Sequence, residues 1–124
     1  MNKILIVDDS VDLLEPVKFY LELPNYGVKT LANAVAIEAE IQKYNPDVLI
    51  LDMLLRGEDG REICKNLRKN SETRYLPILL FSASPWMSTT SKTNLCDDYL
   101  EKPFDLKILL MKIKSLLAWG PIRR

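Results

Sequence analysis

The chain of 124 residues contains no histidine and only two cysteines. Two cysteines are too few for a disulfide framework, and Cys64 and Cys96 lack the spacing of metal ligands. Cys64 shares a helical stripe with Ile63 and Leu67, which predicts a small buried thiol. The sequence therefore argues against both a disulfide scaffold and a thiolate metal site.

The sequence also has no excess of one charge and no long apolar run. Lys plus Arg and Asp plus Glu both number 17, so the charge argues against direct nucleic-acid binding. No apolar stretch reaches the ~18 residues of a membrane span, and the first residues lead into a strand instead of a signal peptide. We expect a cytoplasmic location, no membrane partner and, from the length, one domain.

Three short apolar runs each end at a small polar side chain. Unbroken runs of this kind are typical of strands buried on both faces, in parallel sheets covered by helices. The runs are Ile4–Val7 before Asp8 and Asp9, Val48–Leu51 before Asp52, and Ile78–Phe81 before Ser82. Because the carboxyl ends of parallel strands meet at one sheet edge, these polar side chains should converge. A fourth run, Tyr99–Leu100, should bring Lys102 beside them.

Helical segments separate these runs. Apolar spacing and breakers predict helices over about 11–23, 34–43 and 61–69, another in the region after Ser82, and a last helix after Lys102. Strand and helix alternate five times, which predicts a doubly wound α/β sheet with right-handed crossovers. We assign residues 1–119 to one domain and Gly120 to Arg124 to a tail or the stub of a linker.

The converging carboxylates have a chemical consequence. Three carboxylates within ~4 Å repel one another by several kcal/mol per pair, so a cluster of Asp8, Asp9 and Asp52 needs a cation. An oxygen-only ligand set favours Mg²⁺.

The ordered set of motifs resembles the receiver domain of bacterial response regulators. The resemblance runs from Lys3 to Leu117. It depends on Asp8-Asp9, on Asp52 followed by Gly60, on Ser82 after the next run, on Asp98-Tyr99, and on Lys102-Pro103-Phe104. It implies a flavodoxin-like (βα)5 sandwich with a five-stranded parallel sheet in the order 2-1-3-4-5.

The resemblance also implies roles for these residues. Asp9 and Asp52 would bind Mg²⁺ directly, Asp8 through water, and Leu54 through its backbone carbonyl. Asp52 would accept a phosphoryl group from a histidine kinase or histidine phosphotransfer protein, with Lys102 neutralising charge. Ser82 and Tyr99 would act as the switch, and the Lys102-Pro103 bond would be cis. Such a domain is no enzyme toward other substrates, but it catalyses its own phosphorylation and its slow dephosphorylation.

Other functions remain as alternatives. A degenerate receiver would serve only as a protein-binding platform, and failure to bind Mg²⁺ would favour it. A small Mg²⁺-dependent aspartyl-phosphate phosphatase would need an Asp-x-Asp motif on the first strand, where this chain has adjacent Asp8 and Asp9. A flavin carrier would need a Ser/Thr- and Gly-rich phosphate loop there instead.

Three features bear on regulation and partners. Arg56 stands where the family often has proline, which predicts a looser loop over the site. Residues 84–93 contain six Ser or Thr residues, which predict a short or displaced helix. On the last helix, a second stripe points away from the core. This stripe predicts contact with a partner, or with a second copy of the chain in a homodimer. The contact would use the face that the last helix forms with the preceding helix and the last strand. The stripe consists of Ile108, Lys112, Ser115 and Trp119.

Overall fold

The computed structural model describes residues 1–83 and 96–123, with side chains through Gly120. Its main sheet has five parallel strands, in the spatial order β2-β1-β3-β6-β7. These strands are β1 (Lys3–Val7), β2 (Gly27–Leu31), β3 (Val48–Asp52), β6 (Ile78–Ser82) and β7 (Asp98–Glu101). Counted within this sheet alone, the order is 2-1-3-4-5. The predicted flavodoxin-like fold is therefore confirmed.

Four helices cover the sheet in the described part of the chain: α1 (Val11–Glu22), α2 (Ile37–Tyr44), α3 (Gly60–Lys69) and α4 (Leu106–Arg123). Ser10 caps α1, because its side chain accepts a hydrogen bond from the Leu13 N–H at 3.4 Å. None of these helices is both long and apolar enough to cross a bilayer. The helix predicted after Ser82 falls on residues 84–95, outside the described ranges.

The ends of two helices differ from expectation. Helix α2 begins at Ile37, three residues later than the pattern predicted, and its N-cap residue Ala36 makes no side-chain cap hydrogen bond. Helix α4 continues through Gly120 to Arg123, where a frayed tail or linker stub was expected. The helix therefore passes the boundary that we drew at residue 119, and the division into domain and tail stays a prediction.

The core lies on both faces of the sheet. Helices α1 and α4 pack on one face through buried apolar residues such as Val17 and Ile113. Helices α2 and α3 pack on the other face, where Ile41 and Cys64 contribute. Strands β1 and β3 are nearly free of solvent along their whole length, as their unbroken apolar runs predicted. This central pair forms a rigid base for the polar residues that follow each strand.

A small hairpin follows β3, in the loop that we expected to be loose. Strands β4 (Leu54–Leu55) and β5 (Glu58–Asp59) pair antiparallel around a turn at Arg56 and Gly57. Gly57 has a φ of 76°, which glycine adopts without steric cost. The loop thus contains a short pair of antiparallel strands, and the expectation that it is looser stays a prediction.

Gly60 joins the hairpin to α3 at a point where no side chain fits. Its N–H donates to the Met53 carbonyl at 2.7 Å. A Cβ atom on residue 60 would clash with the Asp52 carbonyl oxygen and lie 2.9 Å from the Met53 Cα. The first turn of α3 therefore rests directly against the backbone that carries Asp52.

Gly60→Ala is expected to destabilise the fold by about 2–3 kcal/mol, because the clash is with backbone that cannot move without shifting β3. Gly57→Ala is the matched control. A Cβ there meets nothing within 4 Å, so the cost should be the left-handed φ alone, roughly 1 kcal/mol. Urea unfolding of both variants measures the difference. Equal losses would contradict the packing argument.

Candidate functional site

Three carboxylates meet at the carboxyl ends of β1 and β3. Strands β1 and β3 are neighbours with Val7 paired to Leu51, so the residues after them share one edge of the sheet. One oxygen from each of Asp8, Asp9 and Asp52 lies within 4.8 Å of the other two. Asp8 is fully buried, and Asp52 is only 7% exposed. The predicted convergence of the acidic side chains is therefore seen in the structure.

Asp8 is held at both of its carboxylate oxygens. Oδ1 accepts a hydrogen bond from the Ser10 N–H at 2.9 Å, and Oδ2 accepts one from Lys102 Nζ at 2.8 Å. A buried carboxylate requires such partners, since an unpaired charge in the interior is strongly unfavourable. The orientation of Asp8 is thus fixed by the start of α1 and by the loop after β7.

Lys102 is the cation of the site. Its Nζ lies 3.5 Å from Asp52 Oδ1 in addition to its bond with Asp8, and it lies 5.7 Å from the centre of the Phe81 ring. Its backbone N–H donates to the Ser82 carbonyl at 2.7 Å. The Lys102-Pro103 bond is cis, the geometry that the resemblance implies. Phe104 follows and stacks on Phe81 at 4.8 Å between ring centroids.

Asp52 lies in an environment that opposes its charge. Burial is the first cause that raises the pKa of Asp52, and the negative charge of Asp8 is the second. Lys102 acts in the opposite direction without cancelling these effects. The N–H of Leu54 is 3.5 Å from Asp52 Oδ1, a long contact that adds little stabilisation. Asp52 is therefore a carboxylate whose ionised form needs a further positive charge.

The donor set suits a hard divalent cation. It consists of carboxylate oxygens at one sheet edge. The Leu54 carbonyl, which the resemblance adds as a ligand, belongs to β4, two residues beyond Asp52. Mg²⁺ favours one or two carboxylates with waters in the remaining positions. Asp8, Asp9 and Asp52 could therefore bind a metal such as Mg²⁺ between them.

Ser82 ends β6 and is fully buried. Asp52 is paired with Phe81 in the parallel register, so Ser82 lies one position further toward the same edge. Residue Glu101 of β7 is paired with Ser82, and Lys102 follows it. The four strand ends β1, β3, β6 and β7 thus bring the carboxylates, the hydroxyl and the lysine to one edge.

Comparison with known proteins identifies the family of this chain. A family model described as the response regulator receiver domain matches residues 4–114. The chain belongs to the response regulator receiver family. It is a receiver domain of two-component response regulators, and such domains interact with histidine kinases.

Curated relatives support the assignment. The chain is 38% identical over 124 residues to the transcriptional regulatory protein YxdJ of Bacillus subtilis, covering 97% of this chain and 53% of that protein. It is 34% identical to the phosphate regulon transcriptional regulatory protein PhoB of Rhizobium meliloti, covering 94% and 52%. The DNA-binding dual master transcriptional regulator RpaA of Synechocystis is 31% identical, covering 94% and 49%. The chain spans about half the length of these relatives.

Solved structures agree. A response regulator structure from Chloroflexus aurantiacus has a TM-score of 0.87 at 34% identity and covers 94% of this chain and 98% of that one. The chemotaxis protein CheY4 of Vibrio cholerae has a TM-score of 0.82 at 31% identity, with the same coverage. The receiver fold is therefore matched over nearly the whole chain.

Tyr99 of this receiver lies on β7 opposite Leu80. It is half-buried and packs on the face covered by α2 and α3. Its hydroxyl forms a hydrogen bond with the side chain of Cys96, and burial is the main reason that the pKa of Tyr99 is raised. The pairing with Cys96 was not predicted, because no pattern in the sequence relates Cys96 to Tyr99.

The predicted outward stripe of α4 has an exposed and a tethered part. Ile108 is 42% exposed and Trp119 is 49% exposed, and Ser115 is exposed as well. Lys112 instead turns to the sheet, where its Nζ lies 3.0 Å from Asp98 Oδ1 on β7. The apolar ends of the stripe are therefore accessible, whereas its lysine is partly engaged within the receiver.

Arg56 was placed by the sequence in the loop over the site, but its contact with Asp9 was not predicted. Its Nε lies 3.7 Å from Asp9 Oδ2, and its side chain is 84% exposed. So exposed a pair contributes little to stability. Its place in the hairpin turn brings it over Asp9, and no sequence pattern had predicted that hairpin.

Asp52→Asn is expected to stabilise the fold in EDTA at pH 7 by about 1 kcal/mol. The raised pKa of Asp52 means that the folded chain holds this proton more tightly than the unfolded chain. The ionised Asp52 lowers the free energy of unfolding. This loss is absent below the pKa of Asp52 in the unfolded chain, grows as pH rises, and is complete above its pKa in the folded chain. The gain of Asp52→Asn should therefore vanish at low pH.

Urea unfolding with Glu15→Gln as the control checks this, because Glu15 is exposed on α1 and should show no such gain. Adding Mg²⁺ should stabilise the wild type more than Asp52→Asn, since a ligand that binds only the folded state raises stability. A loss of stability in Asp52→Asn in EDTA would contradict the analysis.

Proposed function

We propose that this receiver is a phosphorylation-activated switch in which Asp52 accepts a phosphoryl group in a Mg²⁺-dependent reaction. The donor is the phosphohistidine of a histidine kinase or of a histidine phosphotransfer protein. One observation carries the proposal: Asp52 ends the central strand with Asp8 and Asp9 on one side and Lys102 Nζ at 3.5 Å. A cytoplasmic location follows from a donor that uses cytoplasmic ATP.

The reaction forms one bond and breaks one bond. A carboxylate oxygen of Asp52 attacks the phosphorus, the phosphorus–nitrogen bond of the phosphohistidine breaks, and the imidazole nitrogen keeps its electron pair. Lys102 can move its ammonium from Asp8 toward the incoming phosphoryl oxygens. Asp9, Asp52 and the Leu54 carbonyl would hold Mg²⁺, with Asp8 through water, and the metal would supply further positive charge there. Positioning and electrostatics together lower the barrier.

Ser82 and Tyr99 are proposed to change their positions when Asp52 is phosphorylated. The hydroxyl of Ser82 lies at the same edge as Asp52 and can donate to a phosphoryl oxygen. Tyr99 is half-buried on the neighbouring strand, so a shift of the β6 end can change how deeply it packs. This response links the site to the face formed by β7 and α4.

Wild-type chain treated with acetyl phosphate and Mg²⁺ is expected to gain one phosphoryl group, detected by intact mass. Asp52→Asn should gain none, because it lacks the nucleophile. Lys102→Gln should react about a hundredfold more slowly, since it removes one charge that stabilises the transition state. Glu58→Gln, an exposed carboxylate in the hairpin, should behave like the wild type.

An unmodified wild type that also fails to bind Mg²⁺ would instead favour the protein-binding platform. Turnover of a generic phosphate ester would favour the phosphatase. An Asp52→Asn variant modified as fully as the wild type would overturn the assignment of the acceptor.

The phosphorylated state is proposed to be long-lived. Its loss needs a water in line with the phosphorus, and a side chain that holds that water speeds the reaction. Leu54 stands two residues beyond Asp52, is 54% exposed and offers no hydrogen bond. Ser84, the other residue that we expect to border the path of the water, lies outside the described residues.

Decay of phospho-Asp52 in Mg²⁺ should therefore be faster for Leu54→Asn with Ser84→Glu than for the wild type, because both changes supply groups that can hold water. Radiolabel loss over time measures the rates, with Leu54→Met as a control of similar volume that adds no amide. Equal decay of all three proteins would show that these side chains do not set the lifetime.

The exposed stripe of α4 is proposed as a contact for a partner or for a second copy of the chain. Ile108 and Trp119 provide apolar area at its two ends. The balanced charge is our reason for proposing that this domain does not itself bind nucleic acid. Any DNA binding like that named for RpaA would then belong to another part of a longer protein.

Ile108→Glu combined with Trp119→Glu should weaken self-association or kinase binding at least tenfold, because it puts two charges into an apolar contact. Sedimentation and kinase pull-down measure the two effects. Lys114→Glu is the control, since Lys114 is exposed on α4 and lies about 100° around the helix from Ser115, the nearest member of the stripe. Unchanged association on both measurements would refute the assignment of this face.

A further inference from the structure

The two cysteines of the chain meet, although they are 32 positions apart in the sequence. Cys64 is fully buried on α3, and Cys96 is partly exposed just before β7. Their side chains form a hydrogen bond with each other, and both belong to the apolar cluster between the sheet and α3. The two thiols therefore lie beside each other between the sheet and α3.

The two thiols have opposite chemical character. The hydrogen bond from Cys64 is the main cause that lowers the pKa of Cys96, and a hydrogen bond from Tyr99 acts the same way. The same interaction with Cys96 and burial raise the pKa of Cys64. A partly exposed thiol with a lowered pKa, beside a buried thiol with a raised pKa, is the arrangement of a reactive and a resolving cysteine.

Two charged groups beside the cysteines act in opposite directions, because Arg68 lowers the pKa of Cys64 and Asp97 raises the pKa of both thiols. Arg68 on α3 and Asp97 next to Cys96 form a buried ion pair at 2.8 Å, so their charges largely cancel. Asp97 also accepts from the Ile78 N–H at 2.8 Å, and Arg68 donates to the Leu76 carbonyl at 2.6 Å. These bonds hold α3, the start of β6 and the approach to β7 together, which keeps the thiols in register.

We propose that Cys64 and Cys96 are a redox-sensitive pair that forms an intramolecular disulfide with hydrogen peroxide. The Cys96 thiolate attacks one peroxide oxygen, the O–O bond breaks, and the released hydroxide takes a proton to become water. The Cys64 sulfur then attacks the resulting sulfenic acid at Cys96, its S–O bond breaks, and a second water leaves. Two thiols and one peroxide thus give one disulfide and two waters.

The disulfide would tie α3 to the segment that enters β7. It would also remove the thiolate that accepts the Tyr99 hydrogen bond. Any effect on signalling through Tyr99 rests on the proposed function. The thiol chemistry itself does not, because it needs neither Mg²⁺ nor a phosphodonor.

The test is oxidation of the full chain with a small excess of hydrogen peroxide, followed by intact mass and peptide mapping. The wild type should lose both thiols and two hydrogen atoms as a monomer. Cys64→Ala should stop at a sulfenic acid on Cys96 that a dimedone probe captures. Cys96→Ser should leave Cys64 reduced, and Tyr99→Phe should slow the reaction roughly two- to threefold through the thiolate population.

Asp52→Asn must form the disulfide as fast as the wild type, which separates this proposal from the proposed function. Unfolded wild type in urea gives the reactivity of unassisted thiols, and the folded Cys96 should exceed it. Thiols that survive in the folded wild type, disulfides that form only between chains, or equal oxidation of Cys64 in Cys96→Ser would each overturn the proposal.

Discussion

Mutual repulsion among three carboxylates is the constraint on which the site depends. Oxygens of Asp8, Asp9 and Asp52 lie within 4.8 Å, and at an effective dielectric constant near 20 each ionised pair costs roughly 3 kcal/mol. The sheet imposes this cost, because parallel β1 and β3 must end side by side. The buried apolar residues of these strands supply the stability that holds the charges together. A site of this kind is unfavourable until a cation or a phosphoryl group with its counterions arrives.

Lys102 relieves part of that repulsion, and it does so from the far end of the chain. Its bond to Asp8 joins residues 94 positions apart. Removing the lysine would leave Asp8 buried with one unpaired oxygen, a loss of roughly 3 kcal/mol or more. The backbone bond from Lys102 to Ser82 ties the same residue to β6. The electrostatic site is therefore complete only after the last strand has joined the sheet.

The features of the fold and of the site that could be predicted from the sequence are those that burial determines. Apolar runs that stop at Asp8, Asp52 and Ser82 predict both the strands and the edge where they meet, because a buried strand leaves little choice of partner surface. Local hydrogen bonding is less predictable. The hairpin over the site has only two residues per strand, too few for a period to appear, and the contact of Arg56 with Asp9 depends on that hairpin. The contact of Cys96 with Tyr99 likewise has no repeating pattern in the sequence that would predict it.

The position of β7 suggests where a change at Asp52 would spread. β7 lies at the edge of the sheet and pairs with β6 along one side, so in the described structure fewer backbone hydrogen bonds hold it than hold β3. Lys102 follows it directly and is bonded to Asp8, so a movement of its ammonium toward a phosphoryl group would lengthen that bond. Because the Lys102 N–H is bonded to the Ser82 carbonyl, that movement acts on the ends of β6 and β7 together. A displacement of the edge strand β7 should therefore cost the least free energy. This strand carries Tyr99 and contacts α4 through Asp98 and Lys112.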